Sequence, residues 1–195
     1  MPIAKMPRYK EFLKLIRERL PDEKVSHSIF VAEYAASLAV KAGVPHDEAV
    51  TAGMLHDLCR AETPEVLLMR ARGYGIDIGE AALEAPMLLH GPVAAEECRD
   101  ELGIWDDDTY SAIFWHTTGC AGLGRLGQLL FLADFSEPTR KFPEAAEARS
   151  IARKGGFEAA LRYAARAKLE NQRTRPVLDH NLEDFLAWIE QEYPA

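Results

Sequence analysis

Residues 25–42 read VSHSIFVAEYAASLAVKA. Val25, Ile29, Ala32, Ala36 and Ala39 recur at helical spacing and form one apolar stripe. His27, Val31, Tyr34 and Leu38 form a second stripe on another face. A helix that is apolar nearly all round belongs at the centre of a domain, because no face of it prefers water. Gly43 and Pro45 stop it, the first by closing a helix in the left-handed conformation, the second by being unable to continue one.

Outward from this segment the same periodicity recurs. A helix starting at His46 or Asp47 carries Ala49, Ala52, Gly53 and His56 along one face, and such small residues permit close approach to a neighbour. Upstream, residues 9–20 form a short amphipathic helix stopped by Pro21. Downstream, helices are expected over 64–72, 92–102, 106–116, 123–135, 143–173 with a break at Gly155-Gly156, and 181–192. Strand signals are almost absent, with no clear period-two alternation and no hairpin dipeptide. The expected class is all-α. No repeat or linker divides the chain, so one domain over 1–195 is expected, its core at about 24–140 and helices 143–192 packing on it.

With 195 residues, 48% hydrophobic and 28% charged, the chain has the balance of a globular protein. A net charge of -8 argues against broad binding to nucleic acid or an anionic membrane, but not against a small anionic substrate. No apolar run approaches the roughly 20 residues that span a bilayer. The start, MPIAKMPRYK, lacks the apolar core of a signal peptide. Cys59, Cys98 and Cys120 make no CxxC pair, so free thiols and a cytoplasmic location are expected.

The chemistry lies in histidines and aspartates embedded in apolar text. The doublet His56-Asp57 sits in AGMLHDL, His90 in MLLHG, His116 in AIFWHTTG and Asp134 in LLFLADF, while His27 lies on the central helix. Burying a carboxylate beside Leu130, Phe131 and Leu132 is costly unless a cation or strong donors compensate. Imidazoles with carboxylates and no thiolate suit a divalent iron, manganese, zinc or cobalt ion. Singly, each residue has a plainer reading: a lone histidine as a hydrogen-bonded core residue, Asp134 as a cap for a following helix, the doublet as chance. Together they resist that treatment. His46, in PHDEA, reads as exposed, and His180, in LDHN, as a cap for the last helix. GYG at 73–75 reads as a turn, and EAAEARSIARK as a solvated helix face.

In HSIFVAEYAASLA, AGMLHDLCR, LLHGPVAA, WHTTG and LADFSEPTR the chain resembles the HD superfamily. Within it, the LHG, HTTG and AD-x-x-EP-x-R segments resemble the YqeK family of symmetrical diadenosine tetraphosphate hydrolases, from His27 to about Leu182. The resemblance implies an iron centre held by His27, His56, Asp57 and Asp134. It implies that His90 and His116 face the same cavity and contact phosphates, or hold a second metal as in dinuclear relatives. It also implies Arg140 as a phosphate ligand, with Thr117 and Glu137 in support. Asp57, Arg60, His90 and His116 are the implied catalytic set, Asp57 orienting or deprotonating the attacking water. The implied reaction cleaves the middle phosphoanhydride to give two ADP, and the family tends towards homodimers.

Two departures stand out: Arg60 replaces the family's usual Lys, and RPVLDHN replaces a Pro-x-Thr segment. The doublet continues Leu58-Cys59-Arg60-Ala61, without the Glu-Asp pair of stringent-response nucleotide hydrolases. GYG is not the longer GYP signature of cyclic dinucleotide phosphodiesterases. A nucleotide phosphohydrolase of other specificity and a non-catalytic nucleotide sensor stay open as alternatives.

Overall fold

Pro21 separates the first two helices, α1 (Tyr9–Arg19) and α2 (Asp22–Ala42), by holding the chain extended between them. In the computed structural model, residues 2–154, 156–174 and 179–194 are described. Helix α1 buries Phe12 and Ile16, one turn apart. Helix α2 buries both expected stripes in part, with Val25, Val31, Ala32, Leu38 and Ala39 all inside. It ends at Gly43 (φ 69°), whose N–H closes onto the carbonyls of Ala39 and Val40.

Helix α3 (His46–Leu55) lies against α2 at very short range. A Cβ placed on Gly53 would stand 2.5 Å from the Ala32 Cα, so only glycine lets these backbones meet as they do. That contact carries the chain directly into the His56-Asp57 turn.

Helix α4 (Pro64–Tyr74) is capped by the Thr63 hydroxyl and closed by Gly75 (φ 72°), which accounts for the GYG turn. A short helix α5 (Glu80–Glu84) and a 3₁₀ turn (Pro86–Leu89) follow, neither expected because such short pieces carry no periodicity. The 3₁₀ turn runs straight into α6 (His90–Asp100), which therefore begins two residues before the expected Pro92.

Helix α7 (Asp107–Trp115), capped by Asp106, leads to His116, and α8 (Arg125–Ser136) crosses the middle of the bundle. Residues 126–133 of α8 are all buried, as befits a helix wrapped on every side.

The long C-terminal helix is interrupted where glycines were expected to break it. Helix α9 (Pro143–Lys154) stops, Gly156 takes φ 97°, and α10 (Phe157–Gln172) starts on a new line. Gly155 itself is outside the described residues. The last helix, α11 (His180–Glu192), is capped by the Asp179 side chain, not by His180 as the sequence suggests. His180 is exposed and pairs with Glu183. Residues 175–178, the first four of RPVLDHN, fall outside the described set.

Among the described residues every regular element is helical, and none is long and apolar enough to cross a membrane. The three thiols are free. His46 is half-buried, not exposed as expected, with Nδ1 2.9 Å from Asp47 Oδ1.

Candidate metal centre

Four helix ends and one helix face bring the site together. His27 comes from the first turns of α2, His56 and Asp57 from the turn after α3, His90 from the start of α6, His116 from the end of α7, and Asp134 from the last turn of α8. His56, Asp57, His90 and His116 are buried, and His27 and Asp134 are nearly so.

Backbone geometry fixes which nitrogen each ring presents. Nδ1 of His56 lies 2.8 Å from the Gly53 carbonyl, and Nδ1 of His116 lies 2.8 Å from that of Ile113. His90 Nδ1 makes the same bond to Met87, again three residues back. A carbonyl only accepts, so each Nδ1 must carry the proton and each Nε2 turns into the site. His27 Nδ1 faces Glu137 Oε1 at 3.4 Å, which orients the fourth ring in the same sense.

The carboxylates meet these nitrogens. Asp134 Oδ1 is 3.1 Å from His27 Nε2 and 3.9 Å from His56 Nε2. Asp57 presents its two oxygens to different partners. Oδ2 stands 3.9 and 3.8 Å from His27 and His56 Nε2, while Oδ1 stands 3.0 and 3.7 Å from His90 and His116 Nε2. His90 and His116 Nε2 are themselves 3.0 Å apart. Lone pairs so placed demand either a proton on one ring or a cation between them.

The fit to a divalent metal is direct. His56 Nε2 is fully buried and has no hydrogen-bond partner in the protein, a state that costs free energy unless a Lewis acid takes its lone pair. His27, His56 and Asp134 offer donor atoms within 4.8 Å of one another, as do His56, Asp57 and His116. Burial pushes the His56 pKa down to about 4, so the ring is neutral and able to ligate at neutral pH. Burial would raise both aspartates, but His56, His116 and His90 hold Asp57 well below the usual range, and His27 and Lys168 do the same for Asp134. His27 behaves oppositely: burial lowers its pKa, but its bond to Asp134 outweighs this and raises it.

Further residues frame the cluster. Arg140 Nη2 donates to Asp134 Oδ1 at 2.9 Å, and Arg140 Nε donates to the Asp134 carbonyl at 3.2 Å. The Thr117 hydroxyl lies 3.1 Å from His116 Nε2. Glu137, 1% exposed, accepts from the Thr139 amide and hydroxyl at 2.6 Å each. Arg60, expected to act on phosphates, is not drawn in: among the described residues its side chain makes no hydrogen bond to the cluster and lines neither cavity beside it.

Two residues that sequence reasoning missed belong here. Arg149, inside the run read as a solvated face, donates to the carbonyls of Ser136 and Glu137 at 3.1 Å and of Arg140 at 3.3 Å, holding the turn that carries Arg140. Lys168 of α10 donates to the Thr117 carbonyl at 3.0 Å and stands 3.9 Å from Asp134 Oδ2. Nothing local distinguishes either from an ordinary surface cation.

Behind the His56-Asp57 turn a separate network steadies it. Buried Glu97 accepts from Arg70 at 2.7 Å and from the Cys59 thiol at 3.3 Å, and pairs with Arg19 at 3.1 Å. Burial and the neighbouring Glu97 push the Cys59 thiol far above its ordinary pKa, so it stays protonated and donates to Glu97.

A helical bundle whose His–Asp doublet meets a distant histidine and a distant aspartate defines a class. The chain belongs to the HD domain family, which matches residues 25–151. Within it, the chain is 34% identical over 140 residues to the symmetrical bis(5'-nucleosyl)-tetraphosphatase of Staphylococcus aureus, covering 71% of each chain. It is 34% identical over 143 residues to the enzyme of that name from Halalkalibacterium halodurans, covering 72% of this chain and 75% of that one. In three dimensions it resembles the crystal structure of a predicted HD superfamily hydrolase involved in NAD metabolism from Clostridium acetobutylicum. The TM-score is 0.89 at 24% identity, covering 96% of this chain and 99% of that one, a likeness of fold.

Proposed function

We propose that this chain hydrolyses the middle phosphoanhydride of a bis(5'-nucleosyl) tetraphosphate, giving two ADP from diadenosine tetraphosphate. The observation that carries this is the orphaned, buried His56 Nε2 among two carboxylates and three further imidazoles. The 34% identity to two symmetrical tetraphosphatases supplies the substrate class.

His27, His56, Asp57 and Asp134 would hold the metal, with iron the ion the family resemblance implies. Once bound, it supplies Lewis acidity toward the attacking water and the phosphoryl oxygen. Asp57, held well below the usual carboxylate range, is a weak base and acts as an acceptor that aims the water. His90 and His116, with Nδ1 committed to carbonyls, aim Nε2 at the space beside Asp57 and would line the phosphate chain there. Thr117 steadies His116, and Arg140, its Nε and Nη2 engaged by Asp134, would meet the phosphate chain with Nη1 and its charge. Glu137 orients His27 through Nδ1. Arg60 lies at the far end of the same turn and would act at longer range, through its charge. The whole chain works as one domain in this reading, and the free thiols suit the cytoplasm.

The test uses protein purified without oxygen, with bound metal measured by elemental analysis and products resolved by chromatography. ADP alone, abolished by chelation and reduced at least 100-fold in Asp57→Ala, is the expected result. AMP with ATP would refute symmetrical cleavage. Tight nucleotide binding without turnover would favour the sensor reading.

A further inference from the structure

Two cavities open beside the cluster, and they meet at Arg140 and Phe142, which line both. The first, about 430 Å³, is walled by Asp134, Thr117, Lys168 and Asn171. The second, about 630 Å³, is walled by His27, Lys24, Phe30 and Lys141. Asp134 faces one and His27 the other, yet Asp134 Oδ1 and His27 Nε2 are only 3.1 Å apart. The cluster therefore sits at the neck between two nucleotide-sized spaces.

We propose that the second cavity is the compartment for the other nucleoside half of the substrate. This rests on the tetraphosphatase reading above. A substrate cut at its central bridging oxygen offers two like halves, one carrying the attacked phosphorus and the other leaving as the nucleoside diphosphate, and a site for it needs room for both.

The chemistry of the second cavity fits a nucleoside phosphate. Phe30 and Phe142, each 37% exposed, are among the few large apolar side chains left open to water, and both line it. Exposed rings at one cavity suit a stacked base. Lys24 and Lys141 add positive charge at the wall, and Arg140 stands at the neck. Of the two acids on this side, Glu137 is already occupied by Thr139 and His27, and Glu23 is exposed. In the first cavity Lys168 and Asn171, one turn apart on α10, supply the matching cation and amide.

The product ADP is the probe. Metal-loaded protein should bind two ADP per chain by calorimetry, one in each compartment. Phe30→Ala should weaken one of the two events about tenfold, the loss of one stacked base, and raise KM for diadenosine tetraphosphate more than it lowers kcat. Lys141→Glu should weaken that same event, and Lys168→Glu the other. Both Phe30 and Lys141 are exposed, so neither change threatens the fold. A single ADP per chain, or a Phe30→Ala protein with unchanged KM and stoichiometry, would overturn the second compartment while leaving the hydrolysis itself standing. Absence of diadenosine tetraphosphate cleavage in the unaltered protein would instead remove the reading on which it rests.

Discussion

His56 shows how one buried ring links metal binding to stability. In the metal-free protein its pKa lies at about 4, against 6.5 for an exposed imidazole. Between those values the unfolded chain binds a proton that the folded chain refuses. The stability this site contributes is therefore complete above about pH 6.5 and is lost as pH falls towards 4, by roughly 3 kcal/mol. His27, with its pKa raised, works in the opposite sense, so the clean comparison is between the chain and its His56→Gln variant. Denaturant unfolding of both without metal should give stability curves that converge as pH drops from 7 to 4.5. Parallel curves would show that His56 titrates normally in the fold. His27, His56, Asp57 and Asp134 were legible in sequence because an ionisable group in an apolar run is too costly to bury without a cation or donor beside it. Lys168 and Arg149 were not, because a cation on an amphipathic helix looks solvated until the fold shows what it faces.

At the scale of elements, the contact between α2 and α3 sets the distance between the His27 side of the cluster and the His56 side. Gly53→Ala would place a methyl 2.5 Å from the Ala32 Cα, and backbone cannot yield as a flexible side chain does. The helices must separate, at a cost of about 1–3 kcal/mol. Thermal unfolding and metal content should both fall in this variant; a protein that keeps both would mean the two helices are not in register-critical contact. The sequence foretold a close approach through Ala49, Ala52 and Gly53, but not that α2 would be the helix approached. It did not foretell α5 or the 3₁₀ turn before His90, which are too short to show a period. Nor did it place the last cap correctly, because Asp179 and His180 adjoin and only backbone geometry tells which faces the open N–H groups.

Across the whole molecule the metal is expected to act as a staple. Its proposed ligands come from α2, the turn after α3, and α8, so a bound ion joins segments far apart in the chain. An ion present at about 1,000 times its dissociation constant stabilises the folded state by roughly 4 kcal/mol, worth about 10 °C for a domain of this size. Scanning calorimetry with and without a chelator should show a loss of that order, restored on adding back the divalent ion. An unchanged unfolding temperature would mean that the cluster holds no ion tightly.

The family match ends at residue 151, whereas Lys168 and Asn171, on the wall of the first cavity, belong to α10 beyond it. One side of that wall is thus written apart from the proposed ligands, whereas its other side, with Thr117, Asp134 and Arg140, lies among them. A substitution on α10 would reshape that one side of the cavity without touching a proposed ligand. Such an arrangement gives a lineage freedom to change its diet without relearning how to digest.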